Sequence, residues 1–515
     1  MPRQNSKIIC VRKFHAGAAK IAKGEKMNDN HPDGHLTERA HQAMIDNGFE
    51  PEFSPAVWDQ VREMQQRSVM APDASAKDLR QLLWSSIDNA TSRDLDQIEW
   101  AEALPNGDIR VLVGIADVDA SVAKDSPIDK HAAQNTVTVY TESKIFPMMP
   151  EELSTDLTSL NEGVDRLAVV ADMTIKQNGD VPESTFYRAL VHNNAQLAYE
   201  SVGAWLDGKA EIPAKVANTP GLKDQLELQQ QAALRLQKYR MAKGALEFES
   251  IESTAVVEDG QIKGIKSVDP NAARKLIEDF MVAANVEMAE FLENHNALSL
   301  RRVVKEPKNW DGIVRIAAEH GEHFPQQPDQ TALAAFLEKR RVADPDHFPD
   351  LSLSIIKLIG SGEYVVQRQG EDAGGHFGLA VRDYAHSTAP NRRFTDIVVQ
   401  RLVKGVIDGT PSPYTGKELD AIAQHANDQE RAARKVERKM RKIVAATVMQ
   451  RHIGENFDAI VTGVTPSGTF ARILRPPVDG RIEQGEQGLN VGEKVNVKLL
   501  SADPHSGFID FAAHH

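Results

Sequence analysis

The sequence predicts an α+β protein, with a small helical region at the front, a large mixed domain in the middle and an all-β barrel at the end. Three observations carry this prediction. Short β-like runs, Ile109 to Ile115 and Leu167 to Met173, alternate with helical stretches. The clearest helix is Ala272 to Glu293, where Leu276, Phe280, Ala283 and Ala284 recur at helical spacing. Residues 455–515 instead hold several short alternating strands, the pattern of a small closed barrel rather than an open sheet.

In chain order, residues 1–75 form an N-terminal tail and helical region. Residues 1–26 are mildly basic, with Lys7, Arg12, Lys13, Lys20, Lys23 and Lys26, and Met27 follows. They read as a tail, a misassigned start or a transit peptide. Two helices are expected, Leu36 to Asp46 and Pro55 to Gln66, parted by Asn47-Gly48 and Pro51. They form either a helical hairpin or a helix-turn-helix. Residues 80–405 read as one α+β domain. Residues 406–452 are a basic helical connector, dense in charge from Arg431 to Lys442, which is either a solvated face or an RNA-backbone contact. In the terminal module, Phe457 to Val464, Thr469 to Leu474, Lys494 to Leu500 and Gly507 to Phe511 are expected strands, with a turn at Thr465 to Gly468.

Composition narrows the function classes. At 515 residues the chain is long enough for roughly three domains of about 150 residues. An apolar fraction of 41% and a charged fraction of 26% are those of a soluble globular protein. No run approaches the ~20 apolar residues of a membrane span, and no signal-peptide core opens the chain, so no membrane partner is expected. A single cysteine, Cys10, leaves no disulfide framework or thiolate zinc site within the chain, which fits a cytoplasmic location. The formal charge of -14 argues against a nucleic-acid coat. Any RNA site is a local basic groove in an acidic whole.

The sharpest local signal is Ser86-Ile-Asp-Asn-Ala-Thr-Ser-Arg-Asp-Leu-Asp-Gln97. In an extended stretch Asp94 and Asp96 point to one side, and the turn-prone residues before them can bring Asp88 to meet them. Converging carboxylates repel unless a cation sits between them. Oxygen-only ligation selects a hard ion, magnesium or manganese, over zinc. One such ion lowers the pKa of a bound water; a pair about 4 Å apart can hold the attacking and leaving oxygens of a phosphodiester displacement. The bland reading of Asp-x-Asp is an exposed loop or helix cap. A second cluster lies at His376 to Ala380 and Ala385 to Asp396. There Arg392 and Arg393 follow Pro390, where a helix can begin and its amides can add to an anion site. Guanidinium groups bind phosphate, but adjacent arginines also serve ordinary ion pairs.

Together these segments resemble the ribonuclease II and ribonuclease R family from about residue 80 to the C-terminus. The resemblance rests on residues 86–96, Ile115-Ala-Asp-Val118, Phe146-Pro-Met-Met-Pro-Glu-Glu-Leu-Ser154, Leu160 to Ala168, Leu276-Ile-Glu-Asp-Phe-Met281, and the His376 and Arg392 segments. It implies an RNB-like catalytic domain followed by an S1 barrel of the OB fold. It also implies 3′-to-5′ hydrolysis of single-stranded RNA to nucleoside 5′-monophosphates, with magnesium, or manganese, as cofactor. By position, Asp88, Asp94 and Asp96 match the metal-binding aspartates, Arg392 an arginine that acts on the scissile phosphate, and Tyr140 a tyrosine stacked on the terminal base. Arg393 joins the substrate-binding set, and Glu437 matches a glutamate near the substrate end.

Several positions depart from the family pattern. The cluster usually ends Asp-x-Asp-Asp, whereas here Gln97 offers the metal only an amide oxygen. Asn391 stands where an aliphatic residue is usual, and Leu298 to Arg302 lacks an aromatic to oppose Tyr140. The helical, polar region before residue 80 cannot hold the two cold-shock barrels of the usual architecture. The alternative expectation is therefore an RNA-binding protein of the same fold with little or no activity.

Overall fold

The computed structural model describes residues 32–66, 75–249, 252–258, 261–268, 270–345 and 347–514; the basic segment 1–26 lies outside them. The strands of the mixed domain are β1 (Lys77–Asp78), β2 (Trp84–Asp88), β3 (Gln97–Ala103), β4 (Ile109–Ala116), the short hairpin β5 (Val139–Tyr140) and β6 (Ile145–Phe146), β7 (Asp165–Ile175) and β8 (Ser184–Ala198). The large sheet runs β1-β8-β2-β3-β4-β7, and β8 also pairs with β7. The long β8 makes both pairings possible: its first part lies antiparallel to β7, its last part parallel to β2. The β3-β4-β7 meander is in continuous register, with Gln97 opposite Ile115 and Ile115 opposite Val169. By contrast β2 and β3 pair only at Ser85 and Glu99. Beyond that pair the strands part, and residues 89–96 cross the end of the sheet.

Two smaller ladders follow, β9 (Glu252–Glu258) with β10 (Gln261–Val268) and β11 (Ser299–Val303) with β12 (Glu363–Gln367). The terminal module is a closed barrel of β13 (Asn456–Thr465), β14 (Gly468–Ile473), β15 (Val478–Gln484), β16 (Lys494–Asp503) and β17 (Phe508–His514), ordered β13-β14-β15-β17-β16. The sequence reading lacked β15, whose apolar positions are few. Its Gly480 sits where any Cβ would run into the Phe511 ring and the Ile509 carbonyl, so the barrel closes only over a glycine.

The helices are α1 (Pro32–Asp46), α2 (Pro55–Gln66), α3 (Pro127–Asn135), α4 (Tyr199–Leu206), α5 (Ala214–Asn218), α6 (Leu222–Ala242), α7 (Ala272–Asn294), α8 (Trp310–Glu319), α9 (Gln330–Ala343), α10 (Phe348–Ile359), α11 (Phe394–Ile407) and α12 (Gly416–Met449). The apolar stripe of α7 buries Leu276, Phe280, Ala283 and Ala284 in the core of the large sheet. The long α12 starts on a Thr415 and Glu418 capping box and ends with Ala445, Ala446 and Met449 in the core of the barrel. The expected pairing of the two N-terminal helices is corrected. Val57 and Val61 of α2 join the main core, while Leu36, Ala40, Ala43 and Met44 of α1 join a separate cluster with α12 and the β5-β6 hairpin. Each helix spends its apolar face on a different neighbour, so they are neither a packed hairpin nor a helix-turn-helix.

Helix α11 is buried along most of its length and carries two cations into the core. Lys404 Nζ contacts Asp117 at 2.7 Å and Asp119 at 2.8 Å, and Arg401 contacts Asp119 at 2.5 Å and Asp129 at 2.8 Å. Removing one member would strand buried charge, so these pairs fix the register of α11 against the sheet. The segment leading into α11 is thereby fixed as well, and that segment carries Arg392.

Candidate active site

The Asp94 to Asp96 stretch is held by its backbone. Leu95 N donates to Ser159 Oγ at 2.9 Å, and Ser159 Oγ donates to the Arg93 carbonyl at 2.8 Å. Leu160 N donates to the Leu95 carbonyl, and Ala116 N to the Asp96 carbonyl, both at 2.9 Å. With Leu95 facing the core, the acids on either side face the other way.

Each aspartate meets a different protein donor. Asp88, at the end of β2, accepts from Ser92 Oγ at 2.8 Å and from Asn89 N at 2.6 Å. Asp94 accepts from the Tyr140 hydroxyl at 3.3 Å. Asp96, 2% exposed, accepts from Asn391 N at 2.9 Å and from Arg392 Nε at 3.4 Å. Burial pushes Asp96 up to about 7 despite the Arg392 guanidinium, which draws it down. Burial likewise raises Asp88, with Arg392 opposing and Asp94 adding to the rise. Burial and the Asp94 charge raise the Tyr140 phenol.

Tyr140 rides on the β5-β6 hairpin, and Thr138 N donates to the Arg392 carbonyl at 3.0 Å, tying hairpin to arginine. Glu437 of α12 accepts from Tyr140 N at 3.3 Å. Asp88, Asp94, Asp96, Tyr140, Arg392 and Glu437 thus come together from five segments. Arg393 does not join them. Its Nε and Nη2 bind Asp396 at 2.9 and 2.7 Å, and Asp396 is fully buried, so this arginine serves an internal ion pair. The helix after Pro390 begins only at Phe394, leaving both arginines ahead of its first turn. His376 caps a short turn by accepting from Leu379 N at 3.2 Å, and burial lowers it to about 4.

The three aspartates lie in one site, each on a different protein donor. Among the described residues no three His, Cys, Asp or Glu side chains are gathered tightly enough to hold a metal. The donor set itself is all oxygen and suits a hard divalent ion. The motif reading passed over one buried acid of β3. Glu99 is fully buried and neither of its carboxylate oxygens has a hydrogen-bond partner. Burial, and after it the Asp88 charge, hold it well above the usual carboxylate range. The signal was present in the sequence, as a glutamate between Ile98 and Trp100. Sequence reasoning also missed Ser159 and Thr158. Thr158 Oγ1 donates to Asn391 Oδ1 at 2.6 Å, fixing the residue whose N–H holds Asp96.

The RNB domain model matches residues 76–409, and the RNase II-type exonuclease C-terminal S1 domain model matches residues 455–514. Ribonuclease R 1 of Lactococcus lactis is 28% identical over 491 residues, covering 89% of this chain and 59% of that protein. Ribonuclease R of Escherichia coli is 29% identical over 501 residues, covering 89% of this chain and 60% of that protein. The chain therefore spans about three fifths of the length of these curated relatives. Among solved structures, Mycoplasma genitalium RNase R in complex with ribose methylated single-stranded RNA matches with a TM-score of 0.83 and 22% identity. That match covers 93% of this chain and 78% of the other. This likeness establishes the fold.

Proposed function

This chain belongs to the RNB family, and from that premise we propose that it is a 3′-to-5′ exoribonuclease that shortens single-stranded RNA to nucleoside 5′-monophosphates with magnesium or manganese as cofactor. One observation carries the reading: the contact of Asp96 with Arg392, beside the contact of Asp94 with Tyr140. It puts carboxylate, guanidinium and an accessible aromatic ring within one site, the groups that phosphodiester hydrolysis at a chain end needs.

Tyr140, 42% exposed, offers a face on which a terminal base of any identity can stack. Its hydroxyl is anchored on Asp94 and its N–H on Glu437, which orients the ring before substrate arrives. Arg392 is half-exposed and bears charge for the phosphate oxygens as they gain negative charge in the transition state. Asp88, Asp94, Asp96 and the Gln97 amide oxygen are the residues proposed to hold the cofactor. A bound divalent ion would supply Lewis-acid charge and make a water acidic enough to attack at neutral pH. The barrel and the basic face of α12 would carry the RNA strand toward this end. None of the described helices is long and apolar enough to cross a membrane, and the single cysteine fits the proposed cytoplasmic location.

A second reading, an RNA-binding protein of feeble activity, is favoured by Gln97, which removes one negative charge from the cluster. Both are tested by incubating the full chain with a 5′-labelled oligoribonucleotide and magnesium. The exonuclease produces a shortening ladder that Asp96→Asn abolishes while RNA binding persists. Salt-sensitive binding without nucleotide release selects the second reading, and an unchanged ladder in Asp96→Asn removes Asp96 from the active site.

A further inference from the structure

Strands β2 and β8 run parallel as far as the pair Asp88 and Ala198. Beyond it each chain leaves the sheet, β2 into Asn89 and β8 into Tyr199, the first residue of α4. Arg274, from the first turn of α7, holds both departing chains. Its guanidinium carbon lies 4.5 Å from the centre of the Tyr199 ring, and its Nη2 donates to Asn89 Oδ1 and to Glu200 Oε1, both at 3.0 Å. Asn89 passes the contact on. With its amide oxygen taken by Arg274, its Nδ2 donates to Asp88 Oδ1 at 3.4 Å, and its backbone N donates to the same oxygen at 2.6 Å. Helix α7 alone gives no reason for a cation at this place. The N-terminal end of a helix carries positive partial charge and disfavours one, and Asn271 already caps the turn by accepting from Ala273 N and Arg274 N. The Arg274 Nε is also buried without a partner, a second cost. The surroundings nevertheless admit the arginine closely: at Gly203 of α4 any Cβ would collide with the Asn271 side chain, so only a glycine lets the start of α7 approach α4.

We propose that Arg274 is a positioning residue for RNA hydrolysis, which by locking the Asn89 amide and the Tyr199 ring fixes the end of β2 and the direction in which Asp88 presents its carboxylate. The inference rests on the exonuclease reading above, in which Asp88 takes part, and adds a residue that acts through Asn89. An amide free to turn would offer Asp88 either its oxygen, which a carboxylate repels, or its nitrogen. Arg274 takes the oxygen and leaves the nitrogen for Asp88.

The test measures kcat and KM of the full chain on a 5′-labelled oligoribonucleotide with magnesium, beside the melting midpoint of each variant. Arg274→Lys keeps the charge but loses the planar fork, so it cannot stack on Tyr199 and hold Asn89 at once. Its kcat is expected to fall about tenfold or more, the scale on which groups that orient a site's carboxylates act, while KM stays within about twofold because the base clamp is untouched. Asn89→Ala should reproduce that loss, and the double variant should be no worse than either single one, since both act through one contact. Glu200→Ala removes only the outward partner of Arg274 and should leave kcat unchanged. Losses that multiply in the double variant, or an equal loss in Glu200→Ala, overturn the route through Asn89. A fall carried by KM makes Arg274 an RNA-binding group, and a lowered midpoint with kcat unchanged makes it a folding residue; either overturns the proposal while the exonuclease reading stands. A full chain that yields no shortening ladder overturns both.

Discussion

Helix α1 can be tested by a single truncation, Met44→Ala. Met44 is 1% exposed, in a cluster that joins Leu36, Ala40, Ala43 and Phe49 to Val139 and Phe146 of the β5-β6 hairpin and to Val436, Met440 and Ile443 of α12. The hairpin carries Tyr140 and α12 carries Glu437, so the helix packs behind both halves of the proposed base clamp. Arg39 extends the contact to the barrel, donating to the carbonyls of Pro504, at 2.8 Å, and His505. Deleting a buried methionine side chain costs about 2–5 kcal/mol when the site cannot collapse. The large apolar groups of this segment, Leu36, Met44 and Phe49, each contribute only about 1.5–3 kcal/mol of burial. Losing one therefore removes a large part of what holds α1 in place. A displacement of Tyr140 on the order of 1 Å is enough to cost ~100-fold in rate where positioning carries the catalysis. The expected outcome is a rise in KM of tenfold or more on a short 5′-labelled oligoribonucleotide, a longer limit product, and unchanged Mn2+ affinity. Limited proteolysis between Asn47 and Ser54 reports whether α1 has come loose. Rapid cleavage there, with KM and limit product both unaltered, would refute the idea that α1 supports the clamp.

The other predictions concern the site itself. Tyr140→Ala should raise KM about 10- to 100-fold, since base stacking is worth ~1–3 kcal/mol, and leave melting unchanged; an unaltered KM counts against a stacked base. Arg392→Ala and Arg393→Ala should separate function from folding. The first should lower kcat by at least about 100-fold with little loss of stability. The second strands buried Asp396 and should destabilise by ~3–5 kcal/mol, so equal falls in melting midpoint would contradict the division. In chelator-treated protein, stability should fall as pH rises from about 5 to 8. Asp96 and Glu287 are each pushed up to about 7 by burial, so the folded state binds more protons than the unfolded one between about pH 4 and 7. Their stabilising contribution is complete below the unfolded carboxylate range and lost as pH passes 7; a midpoint that climbs over that interval refutes the assignment.

The fold and the site were legible in the sequence to different depths, for physical reasons. Strands β4 and β7 and helix α7 announced themselves because burial on defined faces imposes periodicity on their residues. Strand β15 did not, because a strand with a forced glycine and alternating charges has too little apolar signal. The separate docking of α1 and α2 was hidden because periodicity marks a helix's apolar face without saying what covers it. Within the site, the motif order located Asp88, Asp94, Asp96 and Arg392, and the structure brings them together with Tyr140. It gave Arg392 the phosphate but set Arg393 in the substrate-binding group, because what withdraws Arg393 is Asp396 reaching back across the first turn of α11.

That difference has a consequence for how charge is available at the site. Arg393 makes two short bonds to a fully buried carboxylate and has its charge matched. Arg392 makes one long contact of 3.4 Å to Asp96, and among the described residues its two terminal nitrogens donate to no protein group. Its side chain is 48% exposed. A guanidinium that is held by its Nε and open at its Nη atoms is oriented without being neutralised, the state in which it can take a phosphate at least reorganisation cost. Asp96 is the counterpart. Burial pushes it up to about 7 against the pull of the Arg392 guanidinium. A divalent ion held by Asp96, as proposed above, would share its negative charge and leave Arg392 free for the substrate. The burial of Asp96 and the exposure of Arg392 are thus two parts of one arrangement, and replacing Asp96 with asparagine should leave the affinity of Arg392 for a phosphate end intact while removing turnover.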